Sequence, residues 1–155
     1  MKRYSAVILT AAMAFLFCDA IHSPAGGKKS DGVVKAKAKL ENVGGKSIVV
    51  ISLDIQKGWH LYANPVGNDD LASSQTTVSV PAKSTAKLVK IDYPLGKVIN
   101  DKVLGAYGVY EGNVEIRANV ERAAGASGPF ELTIKVQACD DKNCLPPGSI
   151  KVSVP

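Results

Sequence analysis

The sequence predicts an all-β fold, an antiparallel β-sandwich of about eight strands. Three observations predict it. Apolar and polar residues alternate with a period of two, turn-forming Gly, Pro, Asn and Asp recur at short intervals, and no segment has a convincing amphipathic helical pattern. The 155 residues, 46% hydrophobic and 21% charged, fit one globular domain and exclude a two-domain enzyme of ordinary size. Size and strand pattern together are typical of an immunoglobulin-like sandwich.

The first segment has the pattern of a secretory signal peptide over residues 1–20. Two basic residues precede an apolar run, 6–17, which is shorter than the ~20 residues needed to span a membrane. Cleavage after Ala20 would remove Cys18. A lipoprotein anchored through Cys18 is the less favoured alternative, because bulky Phe17 precedes that cysteine. Both routes predict an extracytoplasmic, periplasmic protein.

Residues 21–32 are rich in Ser, Gly, Pro and Lys, and we expect a flexible leader there, followed by one domain over residues 33–155. The formal net charge is +5. Much of the excess lies in early lysines that fit a solvated tail and a lysine-protected edge strand better than contact with an acidic surface. No interleaving of basic and aromatic residues is present, so we expect no nucleic-acid partner.

The strands are justified in order by alternation and by the turns between them. The first alternates lysines with apolar residues, the second is rich in β-branched residues typical of a central strand, and Gly44 with Gly45 forms the turn between them. A long irregular stretch is expected over 94–108, and in the strand after it Ile116 and its alternate neighbours should face the core. The predicted strands are 33–40, 47–55, 59–63, 76–80, 87–93, one within 109–120, 130–138 and 149–154.

Few places in the chain can carry chemistry. The sequence after residue 20 has no glycine-rich phosphate loop and no nucleophile elbow, and its two histidines are His22 and His60. The carboxylate pairs Asp69–Asp70 and Asp140–Asp141 fit solvent-facing turns. Two thiols and one distant histidine make at most an incomplete metal site, so we expect no metal.

The remaining candidate is the segment from Cys139 to Cys144, which follows a predicted strand and reads as a short hairpin. Cysteines that face each other across such a hairpin can form a disulfide. The bond would close a loop of about six residues and contribute on the order of 2 kcal/mol, less if the hairpin is already closed. The residues of the hairpin alone support two interpretations equally. The cysteines are either a redox-active pair or a structural disulfide in a binding module.

The segment Cys139-x4-Cys144-Leu-Pro-Pro after a strand resembles the active-site hairpin of the amino-terminal periplasmic domain of the thiol:disulfide interchange protein DsbD. Further segments are similar to that family in the same order, from about residue 33 to residue 155. They are Gly58-Trp-His-Leu-Tyr-Ala-Asn-Pro65, Thr76-Thr-Val78, Tyr93-Pro94 and Tyr107-Gly-Val-Tyr-Glu-Gly112.

The resemblance implies an immunoglobulin-like fold and a pair of cysteines that passes electrons to thioredoxin-fold periplasmic proteins, without a further cofactor. Cys144 would form the mixed disulfide with the partner and Cys139 would resolve it. Tyr62 matches a family tyrosine beside the cysteines, and a cap loop over about 100–107 would shield them. That cap would include Asp101, Val103, Leu104 and Tyr107.

Two departures from the family pattern alter these expectations. Val103 and Leu104 stand where well-known members carry an aromatic residue at the cap tip, so the shield should be apolar without aromatic stacking. His60 replaces a common aromatic residue, and it is either a proton-handling group near the thiols or a half-exposed strand residue.

The chain stops at Pro155, where DsbD continues into further domains, so we expect either a separate membrane electron donor or no role as a reductase relay. We also expect a monomer. The leading hypothesis is a thiol:disulfide oxidoreductase, with cytochrome c-type biogenesis among the implied roles. The alternatives are a non-catalytic immunoglobulin-like binding module with a structural disulfide and, least favoured, a cysteine-based metal- or copper-handling module.

Overall fold

A computed structural model describes residues 28–155, so the predicted signal peptide and most of the predicted leader lie outside the described residues. Eleven strands and two short 3₁₀-helices make up this part of the chain. The strands are β1 (Val34–Val43), β2 (Lys46–Ile55), β3 (His60–Tyr62), β4 (Thr77–Ser79), β5 (Ala86–Asp92), β6 (Lys97–Asp101), β7 (Gly105–Tyr110), β8 (Asn113–Arg122), β9 (Phe130–Val136), β10 (Ala138–Cys139) and β11 (Gly148–Val154).

The largest sheet pairs four strands antiparallel in the order β1–β2–β8–β5. Its alternation follows the sequence prediction. Along β8, Ile116 and Ala118 are fully buried while Glu115 is exposed, and along the edge strand β1 the lysines face solvent. Exposed charges on an edge strand discourage pairing with another chain.

Two smaller antiparallel sheets complete the fold, one ordered β10–β3–β7–β6 and the other β11–β9–β4. All three sheets contribute side chains to one hydrophobic core, which includes Ile51 of β2, Leu61 of β3 and Ile134 of β9. The prediction of an all-β, immunoglobulin-like antiparallel sandwich is confirmed, with eleven strands in place of about eight. The excess comes from strands of two to six residues, too short to show a periodic pattern.

The stretch 94–108, predicted to be irregular, instead contains the hairpin formed by β6 and β7. The two strands pair from Lys97 opposite Val109 to Asp101 opposite Gly105. Gly105 has a φ of +82°, a left-handed conformation that glycine adopts without a steric penalty. The alternation was hidden because Val98 on one strand and Ala106 on the other are exposed, so neither strand has a clean apolar face.

The folded domain also begins earlier than the predicted boundary at residue 33. Ser30–Val33 form a 3₁₀-helix, and both Ser30 and Val33 are buried. Asp31 and Gly32 between them are exposed, which explains why the segment reads as a leader. Within residues 28–155, no helix has the length and apolar character needed to cross a membrane.

Candidate redox site

The two cysteines form a disulfide across a tight hairpin near the carboxyl end of the domain. Cys139 ends β10, and Cys144 lies opposite it on the returning arm with a Cα–Cα distance of 4.0 Å. A backbone hydrogen bond closes the hairpin on each side of the pair. Leu145 N–H donates to Ala138 O (2.8 Å), and Asp140 N–H donates to Asn143 O (2.9 Å). The backbone therefore brings the two cysteines together independently of the sulfur–sulfur bond.

Asp140 shapes the turn between the two cysteines. Its Oδ1 accepts hydrogen bonds from the amides of Lys142 (2.8 Å) and Asn143 (2.7 Å). These backbone donors favour the charged carboxylate and hold the pKa of Asp140 below its ordinary value. The prediction that this aspartate is a turn former agrees with its contacts, although its carboxylate is engaged by the backbone and not only by solvent.

Strand β3 carries Tyr62 to the sulfurs. It pairs with β10 on one side, where His60 is opposite Cys139, and with β7 on the other. The Tyr62 hydroxyl oxygen lies 3.6 Å from Cys139 Sγ and 3.9 Å from Cys144 Sγ. Its ring packs at a tilt against Tyr107, with 5.8 Å between ring centroids. Burial raises the pKa of Tyr62, so the hydroxyl stays protonated at neutral pH and can donate a hydrogen bond to sulfur.

The disulfide lies on the wall of a cleft of about 470 Å³. Six of the eight predicted site residues line this cleft: His60, Tyr62, Leu104, Tyr107, Cys139 and Cys144. The two cysteines differ in their exposure to solvent. Cys139 is 3% exposed and packs with Tyr62 and Val66, whereas Cys144 is exposed at the mouth. One of the two cysteines is thus accessible to solvent and the other is buried.

The turn between β6 and β7 lies within the segment predicted to be a cap, and its two apolar residues are placed differently. Leu104 lines the cleft, whereas Val103 is 91% exposed and is not among the lining residues. Of the two residues expected to cover the sulfurs, Leu104 lines the cleft and Val103 does not. Asp101 does not line the cleft either. Its Oδ1 accepts hydrogen bonds from the amides of Val103 (2.7 Å) and Leu104 (2.8 Å), so it sets the shape of the turn.

A further contact fastens the β6–β7 turn to the body of the domain. The amide group of Asn68 donates to the carbonyl of Leu104 (2.7 Å), and Asn68 Oδ1 accepts from the amide of Asp70 at the start of the second 3₁₀-helix, Asp69–Ser74. Sequence reasoning missed Asn68, because an asparagine in a polar loop is common and nothing nearby distinguishes this one.

His60 lies at the edge of the cleft and is half-buried. Burial penalises the imidazolium and lowers the pKa of His60, although the carboxylates of Glu111, Asp141 and Asp140 favour the charged form. Lys97, which opposes that effect, is held by Glu111 at 3.1 Å across the same rim. The sequence had no signal for this ion pair, because the two residues meet only through the β6–β7 hairpin.

Comparison with known proteins identifies the chain at the level of its family. The family described as "Thiol:disulfide interchange protein DsbD, N-terminal" matches residues 29–154. A structure of the Neisseria meningitidis DsbD n-terminal domain in the reduced form superposes with a TM-score of 0.57 at 15% identity, covering 81% of this chain and 87% of that one, and supports the fold.

A structure of the complex between the DsbD N-terminal and PilB N-terminal domains from Neisseria meningitidis is also similar. It has a TM-score of 0.48 at 16% identity and covers 76% of this chain and 80% of that chain. No curated protein matches the sequence. The match over residues 29–154 spans nearly all of the described chain, including both cysteines of the hairpin. The protein therefore belongs to the family of DsbD amino-terminal domains.

Proposed function

We propose that this domain is an extracytoplasmic thiol:disulfide carrier in which Cys139 and Cys144 alternate between disulfide and dithiol. One observation carries the proposal. A buried and an exposed cysteine face each other across a hairpin that backbone hydrogen bonds close on both sides of the pair. The disulfide is itself the redox group.

The location of the bond argues against a purely structural staple. A disulfide stabilises chiefly by restricting the unfolded chain, and a loop of about six residues gives only about 2 kcal/mol. The two backbone hydrogen bonds accepted by the carbonyls of Ala138 and Asn143 already restrict the same loop in the folded state. Reduction should therefore leave the domain folded with the two thiols still adjacent, as a reversible carrier requires.

The difference in exposure supports a role for each sulfur. In the reduced domain, the exposed Cys144 thiolate attacks one sulfur of a partner disulfide, forming a mixed disulfide and releasing the other partner sulfur as a thiolate. Cys139 then attacks Cys144 Sγ, which re-forms the intramolecular bond and releases the partner's second thiol. The partner gains two electrons and two protons, and the domain loses them. The same steps run backwards when the domain is reduced.

The surrounding groups are proposed to support this exchange. Tyr62 can donate a hydrogen bond to the sulfur that carries negative charge, and hydrogen bonds to charged groups are stronger than neutral ones. Leu104 and Tyr107 restrict access from the cap side. His60, neutral at pH 7, can accept or return a proton at the cleft edge.

The partners follow from the same proposal. We assign the domain to the periplasm, where an oxidising environment permits a disulfide. Its redox partners are thioredoxin-fold proteins, its electrons come from a separate membrane protein, and it acts as a monomer, with cytochrome c-type biogenesis among its roles. Support for this assignment comes from the signal-peptide pattern and from membership of the family.

The reduction potential of the Cys139–Cys144 pair tests the proposal. The pair should equilibrate with a glutathione or dithiothreitol buffer, with a potential above about −300 mV, since structural disulfides lie below that value. A Cys139→Ala, Cys144→Ala double variant provides the signal baseline. A potential below about −300 mV would favour the alternative of a binding module with an inert staple.

A further inference from the structure

Ser30 lies outside the cleft but contacts both arms of the redox hairpin. It belongs to the 3₁₀-helix Ser30–Val33 and is fully buried. Its hydroxyl accepts a hydrogen bond from the amide of Ala138 (2.9 Å) and donates to the carbonyl of Pro146 (2.8 Å), with the carbonyl of Leu145 at 3.5 Å. Its own amide also donates to Pro146 O (3.1 Å).

The hydroxyl occupies a specific place in the hairpin ladder. In an antiparallel pair, two opposed residues can exchange both of their backbone hydrogen bonds. Leu145 N–H does donate to Ala138 O, but Ala138 N–H donates to Ser30 Oγ and not to Leu145 O. The serine hydroxyl is therefore inserted where the direct pairing of the two arms stops. Ala138 immediately precedes Cys139 and Leu145 immediately follows Cys144, so the bridge is one residue from each cysteine.

The short helix that carries Ser30 is packed closely against the returning arm. A Cβ atom added at Gly148 would collide with the backbone amide and carboxylate of Asp31. Lys28, just before the helix, lies over the ring of Trp59, with 5.8 Å from its Nζ to the ring centroid. The Asp31 contact holds the helix against the returning arm and the Lys28 contact ties its start to the residue before β3, so the hydroxyl is held in place from two sides.

We propose that Ser30 is a positioning residue that keeps the two arms of the hairpin together when the disulfide is reduced, and thereby sets the redox equilibrium of the Cys139–Cys144 pair. The inference rests on the proposed function of that pair. Ser30 does not touch the reacting sulfurs, and it acts through the backbone of Ala138 and Pro146.

The effect depends on the difference between the two oxidation states. When a soluble dithiol reduces the domain, its two sulfurs join in a disulfide and two electrons and two protons pass to Cys139 and Cys144. The oxidised hairpin is closed by its own covalent bond with or without Ser30. The reduced hairpin loses that bond, and without the hydroxyl its arms are freer to separate. Loss of Ser30 therefore stabilises the dithiol relative to the disulfide.

The test is the redox equilibrium of a Ser30→Ala variant in dithiothreitol buffers. We expect the equilibrium to shift about two- to tenfold toward the dithiol, the range that one or two net hydrogen bonds can produce. Ile116→Val is the matched control, since it loses a buried methylene in the large sheet, far from the hairpin in sequence and with a comparable loss of stability. It should match the wild type. Equal equilibria for Ser30→Ala and wild type would overturn the proposal.

A measurement on the wild type keeps the proposal testable if Ser30→Ala fails to fold. Hydrogen exchange of the Ala138 amide should remain slow in the reduced protein, because Ser30 Oγ still accepts its hydrogen bond. Fast exchange after reduction would show that the bridge opens and would overturn the proposal. The proposed function fails separately, if the wild-type pair does not equilibrate with the buffer at all.

Discussion

The hydroxyl oxygen of Tyr62 lies 3.6 Å from Sγ of Cys139, although the two residues are 77 positions apart in the sequence. The short strand β3 brings them together, because His60 is opposite Cys139 in the pairing with β10 and Tyr62, two residues further along, projects from the same face as a diagonal neighbour. The donor is thus fixed on the sheet that also carries the buried cysteine. A fixed hydrogen-bond donor beside a sulfur favours the thiolate over the thiol.

Replacing Tyr62 by Phe should lower the thiolate fraction of the reduced pair at neutral pH while keeping the packing against Tyr107. We expect resolution of a mixed disulfide to slow by about three- to tenfold. This is less than the loss of a hydrogen bond to a charged oxygen would give, because sulfur is a weaker acceptor. Rapid-mixing kinetics with a model mixed disulfide on Cys144 measures this rate. Tyr93→Phe is the control, since the Tyr93 hydroxyl accepts a hydrogen bond from the Val78 amide and is bonded to neither cysteine of the hairpin. Equal rates in Tyr62→Phe and wild type would contradict the assigned role.

Single-cysteine variants should separate the roles of the two sulfurs. Cys139→Ala leaves the exposed Cys144 without its resolving partner and should accumulate mixed disulfides with a thioredoxin-fold substrate. Cys144→Ala leaves a thiol that is 3% exposed and should accumulate few. Non-reducing electrophoresis after incubation with the oxidised partner measures both. If Cys144→Ala traps the partner and Cys139→Ala does not, the roles are reversed.

The two apolar residues of the cap turn offer a matched pair of substitutions. Leu104→Ala removes a side chain from the cleft, so reduction of the disulfide by a small thiol should accelerate about two- to fivefold as the exposure of the sulfurs rises. Val103→Ala changes a side chain that is 91% exposed and should leave the rate unchanged. The rate is followed as thiol release under excess glutathione. Equal acceleration by both variants would place Val103 over the sulfurs as well.

The stability of the domain should respond to pH through His60. Burial lowers the pKa of His60 below its ordinary 6.5, so His60 binds a proton more readily in the unfolded chain than in the folded domain. The free energy of unfolding should therefore fall as the pH is lowered from about 7.5 toward 5.5, and it should fall less in a His60→Gln variant. Urea denaturation at several pH values measures the difference. Parallel profiles for the two proteins would show that burial does not perturb this histidine.

The sequence was most informative where buried residues alternate regularly along a strand and where a rare, reactive residue type such as cysteine occurs. Regular alternation predicted β8 and the lysine face of β1, and the rarity of cysteine led directly to the hairpin. Asn68 and Ser30 could not be predicted in the same way, because each acts through hydrogen bonds to backbone atoms at least 36 positions away. Nearly every residue type offers the same backbone donor and acceptor, so the sequence does not show which backbone group a distant side chain will bond. The predicted cap segment contains the β6–β7 turn, but which of Val103 and Leu104 lines the cleft depends on the turn that Asp101 imposes.

The hairpin and the cleft around it also differ in when they can form. The cysteines are only five positions apart, and loops of this length close in well under a microsecond. The two thiols can therefore meet in a chain that is still largely unfolded, and an external oxidant can join them there. Tyr62 and Leu104 reach the same sulfurs only after strands distant in sequence have paired, which is a slower, non-local event. A chain oxidised before it folds would have an unguarded pair, and folding would then place Tyr62 and Leu104 beside a bond that already exists.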